Sequence, residues 1–476
     1  MEHFINGAWC ESSGTARIEV RNPSTSALID SVPAGTAADA DRAINAAAAA
    51  FSTWRRTPTA KRVAIQKACA ATMREHAKEL AYLLTLELGR SLAGSQQEIE
   101  RSAELLDYYA EEGLRLRGEM PMIGEPDERV MVVKEPVGVV VAIAPFNYPI
   151  TLLTFKLGAA LVTGCTVVAK PAEDTPLTTL RLAELFSAAG LPPGVFNVVT
   201  GTGADLGTAL VMHPLPRKIA FTGSSATGKH IAALAAATAK RITLEMGGQC
   251  PAIICDDADL DTAIPALVRH AFANSGQFCY RVNRIYAQRG VYDTVVARIA
   301  AGAEKLVVGD GLDPNTQLGP LINANIFRNS ERHVADALAK GARLVCGGAR
   351  LHGERYEQGY FFPPTILADT DHRMAIMTEE TFGPVVGIMP VDSLEQAIAL
   401  ANDSPYGLAG YVFSRNTAVA LRAAESLEVG SVWVNNIHRS YHLVPFGGMK
   451  ESGIGREKSR YGLDEYLELK SIYLGL

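Results

Sequence analysis

The sequence predicts an α/β fold built on two parallel sheets, each covered by helices, with a small β element at an edge. Between residues 134 and 246, short β-branched runs end in Gly or Pro and lead into helical patterns: "VGVVVAIAP", "CTVVAKP", "VFNVVTG", "KIAFTG" and "RITLEMGG". Strands that alternate with helices need crossover connections, which bury a parallel sheet on both faces. A second alternating stretch starts near 252 and continues to about 434. The chain has 476 residues and is 48% hydrophobic, enough to bury two such cores.

Residues 38 to 115 come before any sheet and read as helices. In "ADADRAINAAAAAFSTW", "AKRVAIQKACAATMREHAKELAYLLTLEL" and "SQQEIERSAELLDYYAEEGLRL", apolar residues recur at three and four with few breakers. The strand–turn–helix units follow from 134. The second set runs from "PAIIC" through "RIYAQRGVYDTVVARIAAGAEKL", "ARLVCGG", "FFPPTIL" and "VVGIMP" to "GLAGYVF". The last segment, "GLDEYLELKSIYLGL", alternates polar with apolar residues as an exposed strand does, and an open strand edge invites pairing with another subunit.

Charge narrows the function. Against 51 acidic side chains stand 45 basic ones, a net charge of -6, so no large cationic surface is expected for nucleic acid or anionic lipid. A small-molecule ligand is the expectation. "MEHFINGAWCESSG" lacks the basic and apolar regions of a secretory signal, and no apolar run is long enough to span a bilayer, so a cytoplasmic protein without membrane contact is expected. The seven cysteines lack metal-ligand spacing, which predicts reduced thiols and no metal site.

Two glycine-rich turns follow expected strands: "TGTGADLG", with Gly203, and "FTGSSATGKHI", with Gly223, Ser224 and Gly228. Such turns let backbone approach a pyrophosphate and place helix N–H groups beside it, but glycines here also serve packing alone. In "VVAKPAEDTP", Lys170 and Glu173 leave a strand at its carboxyl end, where ligands gather in open α/β sheets. A carboxylate there accepts from ribose hydroxyls and repels a 2'-phosphate, favouring NAD, with NADP as the less favoured alternative.

Four separated stretches carry the chemistry: "APFNYP" with Asn147, "TLEMGGQCP" with Glu245, "SGQFCYRVNR" with Cys279, and "TEETFGPV" with Glu380 and Phe382. In this order, and with "VPFGGMKESGIGRE" near the end, they resemble the aldehyde dehydrogenase superfamily over essentially the whole chain. The resemblance implies a Rossmann-type NAD-binding domain (1–115 and 135–246), an α/β catalytic domain (247–445) and a small β oligomerisation element (116–134 and 457–476) of a homodimer or homotetramer. It implies Cys279 as nucleophile, Glu245 as general base for the deacylating water, and Asn147 with the Cys279 backbone N–H as oxyanion hole. Lys170 and Glu173 would hold the adenosine ribose, and Ser224 with Gly203, Gly223 and Gly228 would lie near the pyrophosphate. Glu380 would hold the nicotinamide ribose beside Phe382. A thiolate suits the nucleophile's task, because its thioester hydrolyses readily. Retention of Glu245 favours water over coenzyme A as acyl acceptor. An acylating enzyme and a non-catalytic NAD-binding protein are the alternatives.

"GCTVVAKPAEDTP", "RIYAQRGVYD" and "REKSRYGLDEYLELK" look most like the succinate-semialdehyde dehydrogenase branch. That branch implies two arginines for the substrate carboxylate, whereas this chain has Phe155 and Ala273 there. The expected pocket is Tyr148, Phe155, Phe278, Tyr280 and Phe446, suited to an apolar or aromatic aldehyde. An anionic tail, if present, would be read by Arg281 or Arg439. The part played by Glu457 in proton transfer is left open.

Overall fold

The computed structural model describes residues 1–122, 127–437 and 440–476. An eight-stranded sheet runs Ala8–Cys10, His3–Ile5, Phe196–Val198, Thr166–Lys170, Val139–Ile143, Lys218–Thr222, Arg241–Glu245 and Gly453–Ile454. Its five central strands are parallel, and in chain order they lie third, second, first, fourth, fifth. The order therefore reverses between Val139–Ile143 and Lys218–Thr222, and a ligand crevice opens outside the carboxyl ends at such a point. Asn147, Lys170, Gly223 and Glu245 all follow or end these strands.

The expected helices over 38–115 form as Ala37–Trp54, Thr59–Glu75, Ala77–Leu88 and Leu92–Gly113. The segment 1–37, given no elements in the sequence reading, contributes four strands: His3–Ile5, Ala8–Cys10, Arg17–Arg21 and Leu28–Pro33. The signal lay in Asn6-Gly7, which turns with φ of 55° and 78° between paired Ile5 and Ala8. Asn-Gly between short apolar runs is a strong hairpin signal.

A seven-stranded second sheet runs Arg343–Cys346, Thr365–Ala368, Val385–Val391, Val282–Gln288, Cys250–Ile254, Ala409–Phe413 and Ser431–Val434. It is parallel apart from its Arg343–Cys346 edge. The last strand, Leu467–Gly475, pairs antiparallel with Glu128–Pro136 along its whole length. Beyond Leu467 its residues are exposed, Leu469 and Tyr473 at about 70%. The expected hairpin over 116–134 is described only in part, with Glu119 bridging Val132.

One buried carboxylate sets where the helix after Asn147 begins. Helix Pro149–Thr163 starts with Pro in its first turn, where a missing N–H costs nothing. Its free N–H groups at Ile150 and Thr151 donate to Glu98 Oε1 at 2.9 and 3.0 Å. The other Glu98 oxygen pairs with the buried Arg90 guanidinium, which stacks 4.5 Å from the Tyr148 ring centroid. Glu98→Ala leaves a buried guanidinium unpaired and two helix donors unmet, so it should cost about 3–5 kcal/mol. A lowered midpoint in urea unfolding, with activity falling in step, is the expected result; an unchanged midpoint would show the pair to be dispensable.

Candidate active site

Cys279 follows a tight turn over Ala273–Gly276, where Asn274, Ser275 and Gly276 all have positive φ. Asn and Gly tolerate that region, while Ser275 is held there by its hydroxyl donating to Gly319 O at 2.7 Å. Asn147 Nδ2 donates to Gln277 O at 2.9 Å, and Asn274 Nδ2 donates to Gln277 O and to Asn147 O. These bonds bring the two loops together two residues ahead of Cys279. An amide carries two N–H groups, so Asn147 keeps one available for an oxyanion. The thiol is pushed well above its usual pKa, first by burial, then by the neighbouring Cys250, Glu380 and Glu245. At neutral pH it is a thiol that needs a base.

Glu245 ends its strand 2% exposed, and neither carboxylate oxygen has a hydrogen-bond partner among the described residues. Burial raises its pKa well above the usual range, the nearby Glu457 adds to that, and Lys156 opposes it. Lys156 Nζ, fully buried, donates to Glu457 Oε1 at 2.7 Å, Thr222 Oγ1 at 2.6 Å and Leu152 O at 3.1 Å. The C-terminal segment thus returns under the strand end, where Gly453 pairs with Glu245.

Residues from both sheets meet at the cofactor side. Glu380, from the loop before Val385–Val391, accepts from Gly248 N at 2.9 Å, and burial raises its pKa to about 7. Phe382, at φ 57°, sets its ring edge-on to Phe146 with centroids 5.7 Å apart. Lys170 Nζ is buried and donates to the half-exposed Glu173 at 3.1 Å. Ser224 caps helix Ser225–Ala236 by accepting from Thr227 N. A Cβ on Gly203 would meet nothing, leaving an open cradle, which fits a dinucleotide. Gly223 and Gly228 have a packing reason as well: a Cβ there would run into the Phe221 ring or Met246 Sδ at 2.4 Å.

A cavity of about 870 Å³ opens onto Cys279. Tyr148, Phe155, Phe278, Tyr280 and Phe446 line it as expected, along with Ala273. The rings pack edge to face: Phe278 on Tyr280 at 5.1 Å, Tyr280 on Phe446 at 5.4 Å, Phe155 on Phe446 at 6.2 Å. Arg281 is a correction. Its guanidinium is fully buried, donates to Val282 O and Val385 O, and lies outside the cavity, with its pKa lowered to about 10 by burial. Arg281 sits in the bend between the Cys279 turn and strand Val282–Gln288, where its hydrogen bonds to backbone carbonyls hold it in the interior. Arg439 lies outside the described residues.

Six cationic residues line this cavity, Arg90, Arg101, Arg269, Arg298, Lys305 and Lys458, and the sequence reading singled out none of them; Arg101 and Lys458 are the two that act on each other. Arg101 lies on helix Leu92–Gly113 with no local motif to single it out. Lys458 follows Glu457 and carries a backbone of φ 63°, ψ 175°. That region is populated almost solely by glycine, and a side chain held in it costs about 1–3 kcal/mol.

The chain belongs to the aldehyde dehydrogenase family, whose model matches residues 9–472. It is 43% identical to succinate-semialdehyde dehydrogenase [NADP(+)] of Escherichia coli strain K12, over 99% of this chain and 97% of that protein. It is 41% identical to 3-sulfolactaldehyde dehydrogenase of Pseudomonas putida, over 99% of this chain and 96% of that protein. Betaine aldehyde dehydrogenase of Staphylococcus aureus, solved in complex with NAD+, superposes with a TM-score of 0.97 at 38% identity, covering 100% of this chain and 94% of that one. The protein is an NAD(P)-dependent aldehyde dehydrogenase with the α/β fold of that family.

The turn geometry has a direct test. A Cβ on Gly248 would lie 2.4 Å from the carbonyl oxygen of Cys279, a backbone atom that can yield only if the whole loop shifts. A displacement of about 1 Å costs on the order of 100-fold in rate. Gly248→Ala should therefore lower aldehyde-dependent NADH formation by about that factor. A loss below threefold would mean the loop position is not critical.

Proposed function

We propose that this enzyme oxidises an aldehyde to the free carboxylic acid through Cys279, preferring NAD to NADP. The observation that carries the reading is Glu245: a buried, proton-hungry carboxylate with no hydrogen-bond partner among the described residues, whose field reaches the Cys279 thiol. Glu245 takes the thiol proton, and the thiolate sulfur attacks the aldehyde carbon. The free N–H of Asn147 and the Cys279 backbone N–H stabilise the oxyanion that forms. The nicotinamide, when bound, supplies the hydride acceptor that leaves a thioester on Cys279. Glu245, once it has passed that first proton to bulk water, draws a proton from the attacking water, whose oxygen adds to the thioester; the acid leaves and the departing thiolate takes the proton back from Glu245. Lys156 and Glu457, hydrogen-bonded to each other, act on Glu245 through their charges, Glu457 raising its proton affinity and Lys156 opposing it.

Lys170, Glu173, Ser224 and the Gly203 cradle are the groups assigned to the adenosine side of the cofactor, and Glu380 with Phe382 to the nicotinamide side. Glu173 supports NAD, because its carboxylate would face a 2'-phosphate. The aromatic wall of the cavity supports a short aldehyde with an apolar body. Curated relatives are named for succinate semialdehyde, glutarate semialdehyde and 3-sulfolactaldehyde, each an aldehyde with an anionic tail. The exposed strand Leu467–Gly475 supports pairing between subunits into a dimer or tetramer.

Cys279→Ala should abolish NADH formation while NAD still binds; residual turnover above about 1% of wild type would remove Cys279 from the nucleophile's place. Glu245→Gln should slow both the first burst of NADH and the later turnovers, the latter about 100- to 10,000-fold, as seen by rapid mixing. Because the base is the deprotonated form and burial raises its pKa, wild-type deacylation should climb as pH rises through that raised value. The same profile in Glu245→Gln should be flat; a climb that persists there would assign the titration to another group.

A further inference from the structure

Lys458 is the least expected residue of the cavity. Its side chain is 3% exposed, yet among the described residues it forms no ion pair. The ammonium donates to Ser440 Oγ and lies 5.9 Å and 6.0 Å from the Phe155 and Phe446 ring centroids. An ammonium has three donors, so two have no acceptor among the described residues, beside the Phe155 and Phe446 rings. Its neighbour in charge is another cation, Arg101, which adds to burial in lowering the Lys458 pKa to about 8. The carboxylates near by are engaged elsewhere. Glu457 is turned to Lys156, Glu98 holds Arg90 and the helix start, and Glu104 pairs with His442 at 3.7 Å. Neither Lys458 nor Arg101 has an ion-pair partner among the described residues, and two such cations repel each other until an anion joins them. Glycine would relieve the backbone at this position, so the strained lysine is best explained by what its ammonium does.

We propose that Lys458 and Arg101 form the subsite that holds a terminal oxyanion of the aldehyde, across the aromatic cavity from Cys279. This deepens, and rests on, the reading of the cavity as the aldehyde site. It assigns the enzyme to short aldehydes with an anionic far end, such as a carboxylate or sulfonate. It also moves that recognition away from Arg281, which is buried elsewhere. Lys458 grips the tail by charge-assisted hydrogen bonds, while Phe155 and Phe446 shield the contact from water.

The test is the ratio of kcat/KM for succinate semialdehyde to that for butanal, together with calorimetric binding of succinate to the NAD-loaded enzyme. Lys458→Gly removes the ammonium and the backbone strain together, so its melting temperature should hold or rise. The ratio should fall about 10- to 100-fold and succinate binding should weaken in parallel. Lys458→Arg should retain more of the ratio than Lys458→Met, and Arg101→Gln should lower it as well. A ratio within threefold of wild type in a folded, NAD-binding Lys458→Gly would overturn the subsite. Should the wild type oxidise neither aldehyde, the functional reading fails, and succinate binding decides the subsite alone: equal affinity in wild type and Lys458→Gly would overturn it.

Discussion

Lys156 holds together the part of the molecule on which the site depends. Its ammonium is buried on the helix after Asn147, and it reaches the end of strand Lys218–Thr222 at Thr222 and the C-terminal segment at Glu457. A buried charge costs several kcal/mol unless its donors are met, and here three oxygens meet them. Three segments far apart in the chain are thereby fixed around the carboxyl end of the strand that carries Glu245. Removing Glu457 would leave the Lys156 ammonium charged and without a counter-ion in a dry interior, which holds the arrangement in one form.

The same low-dielectric seam explains the chemistry. Burial raises the pKa of Glu245 and of Cys279 together, so each is protonated more readily than in water. Raising both together keeps the thiol and the carboxylate closer in proton affinity than raising the thiol alone would. The second sheet contributes the other half: the Cys279 turn, and Glu380 reaching back to Gly248. The glycines at 247 and 248 make that approach feasible, since any Cβ there would strike Glu380 or the Cys279 carbonyl.

The cavity combines aromatic rings with six cationic side chains, of which Arg101 and Lys458 form no ion pair among the described residues. Lys458 is reached only because the chain from Phe446 pairs with Glu457 in an antiparallel bridge, with Ser459 N donating to His442 O at 2.9 Å. A lysine forced into a glycine-like backbone by that pairing is a local conflict that the rest of the fold holds in place.

By itself the sequence determined the alternation of strands and helices, because hydrophobic periodicity and Gly/Pro punctuation are local properties. It also determined the family, because "APFNYP", "LEMGGQ", "GQFCYR" and "EETFGP" occur in a recognisable order. The N-terminal strands were legible in Asn6-Gly7 and went unread, being too short for periodicity. Only the tertiary structure decided which cations enter the cavity. Arg281 follows Cys279 by two residues, yet it is buried against the backbone carbonyls of Val282 and Val385, outside the cavity. Arg101 and Lys458 lie far from Cys279 in sequence and meet at its cavity. The direction of a side chain and the field around it are set by segments packed from elsewhere in the chain, and no local pattern encodes them.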